Sequence, residues 1–209
     1  MVDLLPLFPL PNVVLFPQVF LPLHVFEPRY RAMVADALSG DRVIGMVLLR
    51  QGEHESHEPP AIYPVGCSGV ITHCEQLPDG RYNLVLRGLE RFTVEREEEH
   101  PHGYRRAKVK VLPEPALTAR EQIIVAQHRT TLESLLAPIT SPSRESIRTA
   151  AMQDVDVVNA LSQYLDFEPL EKQALLERPC LRTRAEALVE LLEMRTLLAR
   201  TPGATRTTH

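Results

Sequence analysis

The sequence predicts an α+β protein whose first half is mostly β-structure and whose second half is helical. Short apolar runs separated by Pro and Gly turns dominate the chain up to about Leu112. After the segment PEPAL (113–117), apolar residues instead recur at helical spacing. This change of pattern predicts a β domain over 1–115, a helical domain over 116–201 and a frayed tail over 202–209.

Composition narrows the functional classes. The chain has 209 residues, of which 44% are hydrophobic and 24% charged, and these values suit one or two globular domains. The net charge of −4 argues against general nucleic-acid binding, which needs a basic surface. The three cysteines form no CxxC pair and no signal-peptide pattern begins the chain, so we expect reduced thiols and a cytoplasmic location.

The opening stretch LPLFPLPNVVLFPQVFLPLHVFEPRY (5–30) is apolar and carries six prolines. Because each proline interrupts helical hydrogen bonding, the stretch cannot form the unbroken helix that a membrane span requires. The apolar runs predict strands at Asn12–Phe16 and Val19–Leu23, with turns at 11–12 and 17–18. Three apolar side chains of these strands are expected to lie mostly in the core, namely Phe16, Phe20 and Leu23.

The rest of the first half alternates between one helix and several strands. An amphipathic helix is predicted to begin at Pro28 and to be capped near Gly40. Its inward face comprises Tyr30, Met33, Val34, Ala37 and Leu38. The dipeptide turn signal in PDG (78–80) predicts a hairpin. Strands are predicted at 42–50, 65–77, 81–89, 91–97 and 104–113.

The second half contains the helices. Thr118-x-x-Glu121 is a capping-box pattern and predicts a helix to about Leu136. A second capping box at Thr183-x-x-Glu186 predicts a helix to about Arg200. Further helices are predicted at 141–152, 154–165 and 168–177. The inward faces comprise Val157, Val158, Leu161, Tyr164 and Leu165 in one helix, and Ala187, Leu188, Leu191, Met194 and Leu198 in the last.

Three blocks, in order, resemble the family of the Lon protease N-terminal (substrate-binding) domain. The opening block 5–34 resembles the family's apolar strands leading into a helix, and LPDG (77–80) with GLERF (88–92) resembles its central block. The segment VVNALSQYLDFEPLEKQALLE (157–177) is similar to its helical block. The resemblance implies a PUA-like β pseudobarrel with one early helix, followed by a C-terminal α-helical bundle.

The resemblance also implies a function, which is recognition of unfolded or hydrophobic polypeptide segments. The ATPase and Ser–Lys peptidase modules of Lon proteases have no counterpart here: at 40–47 the glycine spacing of a phosphate loop is present, but Met46 and Val47 replace its Lys and Ser/Thr. We therefore expect a non-enzymatic binding module without cofactors, an adaptor or quality-control factor that could act with a Lon-type protease. Homodimerisation through an apolar edge is left open.

The candidate peptide-binding residues are Phe26, Glu27, Arg29 and Tyr30, where the opening strands meet the early helix. They could form a polar rim beside an apolar groove. The alternative is structural: Glu27 favours the helix N-terminus by its charge, Arg29 is solvated and Tyr30 belongs to the inward face.

Other functional classes have weaker sequence support. RNA binding through the PUA-like domain would use the basic residues Arg81, Arg87, Arg91, Arg105, Arg106, Lys108 and Lys110, and a hydrolase would need a constellation that the sequence does not offer. His54 and His57, with His100 and His102, lie in loops without a metal-binding frame, so no metal is predicted. His73 and Cys74 are strand neighbours that point to opposite faces. His128 is expected to be a hydrogen-bonded residue of the core or of its rim.

Overall fold

The computed structural model describes residues 4–50, 60–136 and 152–200. The predicted loop pair His54 and His57, almost all of the predicted helix 141–152 and the tail 202–209 lie outside these ranges. The elements in chain order are β1 (Leu5–Leu10), β2 (Phe20–Val25), α1 (Pro28–Ser39), β3 (Val43–Leu48), β4 (Val65–Gln76), β5 (Tyr82–Glu99), β6 (Arg105–Leu112), α2 (Ala119–Leu136), α3 (Asp154–Tyr164), α4 (Pro169–Leu176) and α5 (Leu181–Arg200).

The six described strands form one mixed sheet in the order β2-β5-β4-β3-β1-β6. β1 and β3 are parallel, and the other pairs are antiparallel. An additional pairing between β5 and β6 closes a circuit through five of these strands. β2 lies outside this circuit and, among the described strands, pairs with β5 alone. It is therefore an edge strand.

The prediction of a strand at Asn12–Phe16 is wrong, because the first strand is Leu5–Leu10. Phe16 is nonetheless fully buried. Its main-chain N–H donates to the side-chain oxygen of Gln163 (3.1 Å) instead of to a neighbouring strand. A side chain 147 positions away therefore satisfies the backbone group that a strand partner would otherwise satisfy.

The hairpin predicted around PDG is confirmed, since β4 and β5 pair on either side of it. Gly80 has φ +81°, a backbone conformation that residues with a side chain adopt only at a cost. The Asp79 side chain accepts a bond from the Arg81 main-chain N–H (3.0 Å) and closes the turn. The predicted strands 81–89 and 91–97 are one continuous strand of 18 residues, which reaches across the sheet from β2 to β6.

The early helix is also confirmed. Pro28 occupies its first turn and Gly40 its C-terminal cap, while Tyr30, Met33, Val34 and Ala37 are buried as predicted. The ring of Tyr30 contacts that of Phe8 in β1, with 4.6 Å between centroids. This contact fixes the start of α1 against the sheet and so positions the segment that precedes it.

The chain divides into two compact units, and the first combines residues up to Pro113 with Asn159–Glu177. Long-range hydrogen bonds hold the second segment to the strands and to the connection between β1 and β2. Besides the Gln163–Phe16 bond, Asn159 Nδ2 donates to the Pro17 carbonyl (3.1 Å), Gln173 Nε2 to the Val65 carbonyl (2.9 Å) and Arg91 Nη1 to the Leu176 carbonyl (3.0 Å). Part of the segment predicted as the helical domain therefore clusters with the strands.

The second unit comprises Glu114–Val158 and the chain from Arg178 onward, and within it α2 packs against α5. The Thr118–Glu121 capping box is confirmed by reciprocal hydrogen bonds. The predicted start of the last helix at Thr183 is wrong, because α5 begins at Leu181 and the Thr183 hydroxyl donates to the Cys180 carbonyl (3.0 Å).

The inward face of α5 is confirmed at Ala187 and Leu188 but not at its C-terminal end, where Met194 and Leu198 are exposed. In the first turns of α5 the buried polar residue is Arg184, whose guanidinium pairs with Glu114 (3.0 Å). The packed part of α5 is therefore its N-terminal half.

Candidate functional site

The predicted binding residues lie in the turn from β2 into α1, and they differ widely in exposure. Phe26 is 60% exposed, whereas Tyr30 is 6% exposed. Glu27 precedes the helix in an extended conformation, and its carbonyl accepts bonds from the main-chain N–H groups of Tyr30 and Arg31. Its side chain makes no capping bond, and its carboxylate lies next to the first turn of α1.

Glu27, Arg29 and Tyr30 form a small network beside Phe26. The Arg29 guanidinium bonds the Glu27 carboxylate through Nη2 (2.9 Å) and Nε (3.0 Å), and its central carbon lies 4.6 Å from the centre of the Tyr30 ring. Burial is the main cause of a raised pKa for the Tyr30 hydroxyl. The network holds Arg29 in one orientation while leaving about half of its side chain in solvent.

A cavity of about 630 Å³ opens next to this network. Arg29 and Tyr30 are among its lining residues, and Phe26 and Glu27 are not. The remaining lining residues are Pro9, Leu49, Pro60, Glu97, Glu98, Glu99, Gly103, Tyr104 and Arg105. Arg105 pairs with Glu97 (3.1 Å) and Arg96 pairs with Glu98, so two of the three lining carboxylates already have a cationic partner.

The exposed face of β2 was not predicted. Phe20 is 50% exposed and Leu23 is half-buried, so the expectation of a core position is wrong for Phe20 and holds in part for Leu23. Side chains alternate along a strand, and Phe20, Pro22 and His24 share the exposed side of β2. No described strand pairs with the outer edge of β2, so this exposed face lies next to a free sheet edge.

We call Phe20, His24, Phe26 and Tyr164 the aromatic face. The His24 and Phe26 rings lie 6.3 Å apart in a stacked arrangement. The Tyr164 hydroxyl donates to the Phe20 carbonyl (2.8 Å), and the Tyr164 side chain is 58% exposed instead of inward as predicted. Sequence reasoning missed Phe20 and Tyr164, because each lies in a run whose apolar pattern resembles that of a core element.

The basic residues considered for RNA binding are interleaved with carboxylates. Arg81 pairs with Asp79 (2.6 Å), Arg105 with Glu97 and Lys108 with Glu95 (3.5 Å). Arg91 is 3% exposed and donates to a main-chain carbonyl. Four of the seven residues are thus neutralised by a neighbour or withdrawn from the surface.

The remaining candidates show no catalytic arrangement. His73 is exposed on β4, and burial raises the pKa of the neighbouring Cys74 thiol, which disfavours the nucleophilic thiolate. His128 is half-buried on α2, which fits the rim and not the core among its two predicted positions. In the described part of the chain, none of the helices is long and apolar enough to cross a membrane.

Comparison with solved structures identifies the fold. The N-terminal domain of a Lon protease from the Mycobacterium avium complex superimposes with a TM-score of 0.66 at 16% identity, covering 91% of this chain and 98% of that one. A Lon N-terminal domain protein from Xanthomonas campestris superimposes with a TM-score of 0.58 at 24% identity, covering 96% and 100%. At these identities the likeness shows the fold alone.

Sequence comparison gives the family. Lon protease 2 of Myxococcus xanthus is 30% identical over 197 residues, which cover 91% of this chain and 23% of that protein. Lon protease 1 of Herpetosiphon aurantiacus is 27% identical over 198 residues, 91% of this chain and 24% of that protein. The chain thus spans about a quarter of the curated relatives it matches. Residues 4–194 match the family profile, and the chain belongs to the family of the ATP-dependent protease La (Lon) substrate-binding domain.

Proposed function

We propose that this chain is a non-catalytic polypeptide-binding module that recognises unfolded or apolar segments through the aromatic face and the adjoining residues Glu27, Arg29 and Tyr30. The observation that carries the proposal is the exposure of two phenylalanines, Phe20 at 50% and Phe26 at 60%, on one side of an edge strand. Exposed clusters of large apolar side chains on a folded domain are typical of interaction sites. Membership of a substrate-binding family supports the same function.

The geometry favours recognition by side chains over addition of the ligand as a further strand. Strand addition needs free main-chain donors and acceptors along the edge. On β2, Pro22 has no N–H group and the Phe20 carbonyl already accepts a bond from Tyr164. The aromatic face instead offers rings at Phe20 and Phe26, about 20 Å apart for six residues of strand, which suits an extended segment with two apolar side chains.

Glu27, Arg29 and Tyr30 supply the polar side of the proposed surface. Arg29 is held by Glu27 and by the Tyr30 ring, so its exposed guanidinium can bind a ligand carbonyl without much loss of side-chain entropy. Of the carboxylates that line the adjoining cavity, Glu97 and Glu98 pair with Arg105 and Arg96, which leaves Glu99 to favour a segment with a basic residue beside its apolar ones. This combination suits exposed segments of unfolded proteins.

We also infer the finer features of the architecture. The pairing of β5 with β6, which closes the circuit of five strands, supports a PUA-like pseudobarrel. The packing of α2 on α5 supports a C-terminal helical bundle. In this proposal the module acts as an adaptor in protein quality control, and a Lon-type protease is its second partner.

Binding to a fluorescein-labelled, reduced and carboxymethylated polypeptide tests the proposal. Replacing both Phe20 and Phe26 by Ala should weaken binding by at least about tenfold, because each ring contributes more than about 1 kcal/mol when a ligand buries it. Ile123→Ala is the matched control, since this apolar side chain is 61% exposed on α2 in the other unit. Fluorescence anisotropy measures the dissociation constants. Equal affinities for the wild type and the double variant would exclude the aromatic face.

The polar side is tested separately by Arg29→Ala, for which we expect a smaller loss of affinity of about threefold to tenfold. RNA binding remains the alternative prediction, and its distinguishing property is retention that falls steeply with salt concentration. The ion pairs of Arg81, Arg105 and Lys108 give that alternative no structural support. Salt-dependent RNA binding without polypeptide binding would overturn the proposal.

A further inference from the structure

Three potential metal ligands meet where the β5–β6 turn reaches α1. His100 and His102 belong to the turn, and Asp36 projects from the helix. The turn itself is well defined: the His100 N–H donates to the Tyr104 carbonyl (2.7 Å) and the Gly103 N–H to the His100 carbonyl (2.8 Å). Gly103 has φ +78°, a conformation that suits glycine.

The ligand atoms are close enough to share an ion. One nitrogen from each histidine and one carboxylate oxygen of Asp36 lie within 4.8 Å of one another, and His102 Nδ1 is 3.2 Å from Asp36 Oδ2. A tetrahedral Zn²⁺ with bonds of about 2.0–2.2 Å separates its ligands by about 3.3–3.6 Å. The pair His102–Asp36 already has nearly this separation, and the third ligand must approach by roughly 1 Å.

Surrounding groups hold these side chains in place. The Tyr104 hydroxyl donates to Asp36 Oδ2 (2.9 Å), an outer contact of the kind that orients metal-binding carboxylates. The Tyr104 ring stacks on His100 with 4.3 Å between centroids, and the His100 ring contacts that of His102 edge-on at 4.9 Å. The main-chain N–H of His102 makes a long bond to His100 Nδ1 (3.3 Å), which a metal ion could displace.

The cluster faces an open cavity of about 440 Å³, which has room for an ion with its remaining water. Asp41 and Arg106 also line this cavity. The carboxylate of Asp41 favours a cation there, and the guanidinium of Arg106 opposes one. Two imidazoles and one carboxylate suit Zn²⁺ and its neighbours among the transition metals better than Mg²⁺ or Ca²⁺, which prefer oxygen ligands.

We propose that Asp36, His100 and His102 form a binding site for Zn²⁺, with the fourth position open to water or to a ligand atom from another molecule. The alternative is an ion pair between His102 and Asp36 without a metal, which the 3.2 Å contact also permits. The metal site and the ion pair predict different responses to Zn²⁺. An ion pair leaves Zn²⁺ without effect on the protein, whereas a metal site ties the turn to α1 and stabilises the folded chain in proportion to occupancy.

The experiment is a Zn²⁺ titration of the full chain by isothermal calorimetry, combined with thermal unfolding at increasing Zn²⁺. We expect the wild type to bind Zn²⁺ with micromolar affinity and to unfold at a higher temperature in its presence. His102→Ala and Asp36→Asn should each weaken binding by at least about tenfold and remove the Zn²⁺-dependent stabilisation. His73→Ala, which alters an exposed histidine on β4, is the matched control and should behave as the wild type.

A double variant tests the alternative source of Zn²⁺ ligands. His54→Ala combined with His57→Ala removes both histidines of the segment EHESHE (53–58), and we expect Zn²⁺ binding to be retained. Loss of binding in this variant, retention in His102→Ala, or no binding by the wild type at concentrations on the order of tens of micromolar would each overturn the proposal. Unfolding midpoints without metal identify any variant that fails to fold, and in that case Asp36→Asn decides.

Discussion

β1 and β2 come from the same proline-rich stretch, have six residues each and differ in almost every other respect. β1 pairs with β3 and with β6, and Leu5, Leu7 and Phe8 are buried. Among the described strands β2 pairs with β5 alone, and its side chains alternate between exposed and half-buried up to the buried Val25. Two segments of similar composition thus became a core strand and an exposed edge strand, and their sheet neighbours account for the difference.

The prolines of β1 show how such a strand is tolerated inside a sheet. Pro6 lies in the part of β1 that pairs with β6, and Pro9 in the part that pairs with β3. Each proline therefore needs one strand partner at most, and its missing N–H can face away from that partner. Leu7 is the residue of β1 that takes part in both pairings. On β2, Pro22 needs no such arrangement because the strand is already at an edge.

The largest effect expected from this comparison is on stability. Leu7→Ala should lower the free energy of unfolding by about 2–5 kcal/mol, because the side chain is fully buried and its removal leaves a cavity. Leu23→Ala removes the same atoms from the half-buried position on β2 and should cost about 1 kcal/mol. Urea unfolding of both variants measures the difference. Equal losses would mean that β2 is as deeply packed as β1.

The segment joining the two strands gives the next effect. At Gly88 an added Cβ would lie 2.0 Å from the Phe16 carbonyl oxygen, so Gly88→Ala forces the connecting segment away from β5. We expect a loss of about 1–3 kcal/mol in the free energy of unfolding. At Gly40, where the nearest atoms are 3.8 Å away, the same substitution should change it by less than about 0.5 kcal/mol. Similar values for the two variants would show that Phe16 can move freely.

Local signals predicted much of the fold. The PDG hairpin, the start of α1 at Pro28 and the Thr118–Glu121 cap depend on neighbouring residues, and the structure contains all three. The position of the first strand could not be predicted, because apolar residues and prolines fill the opening stretch up to Leu23 except at Asn12 and Gln18. The amide of Gln163, which holds Phe16, is distant in sequence and gives no local signal.

The candidate site could also be predicted only in part. The turn from β2 into α1 does present an exposed Phe26 and an Arg29–Tyr30 pair at a cavity. Whether these residues bind a polypeptide stays a prediction. The exposure of Phe20 and Tyr164 depends on which strand ends the sheet, and a single apolar sequence does not contain that information.

The smallest expected effect is on the pH dependence of stability, and it comes from the packing of Tyr30 on β1. Tyr30 packs on Phe8 of β1, and burial holds the pKa of its hydroxyl above the ordinary value of about 10. Since the raised pKa belongs to the folded state, the resulting stabilisation is present below the unfolded pKa and is lost as pH rises through the folded one. Burial and Asp36 raise the pKa of Tyr104 to about 12, and this group remains in either protein.

Tyr30→Phe should therefore lose less stability than the wild type between neutral pH and about pH 11, as measured by urea midpoints at each pH. The same slope in both proteins would show that Tyr30 ionises as readily when folded as when unfolded, so that its contact with β1 does not exclude water from the hydroxyl.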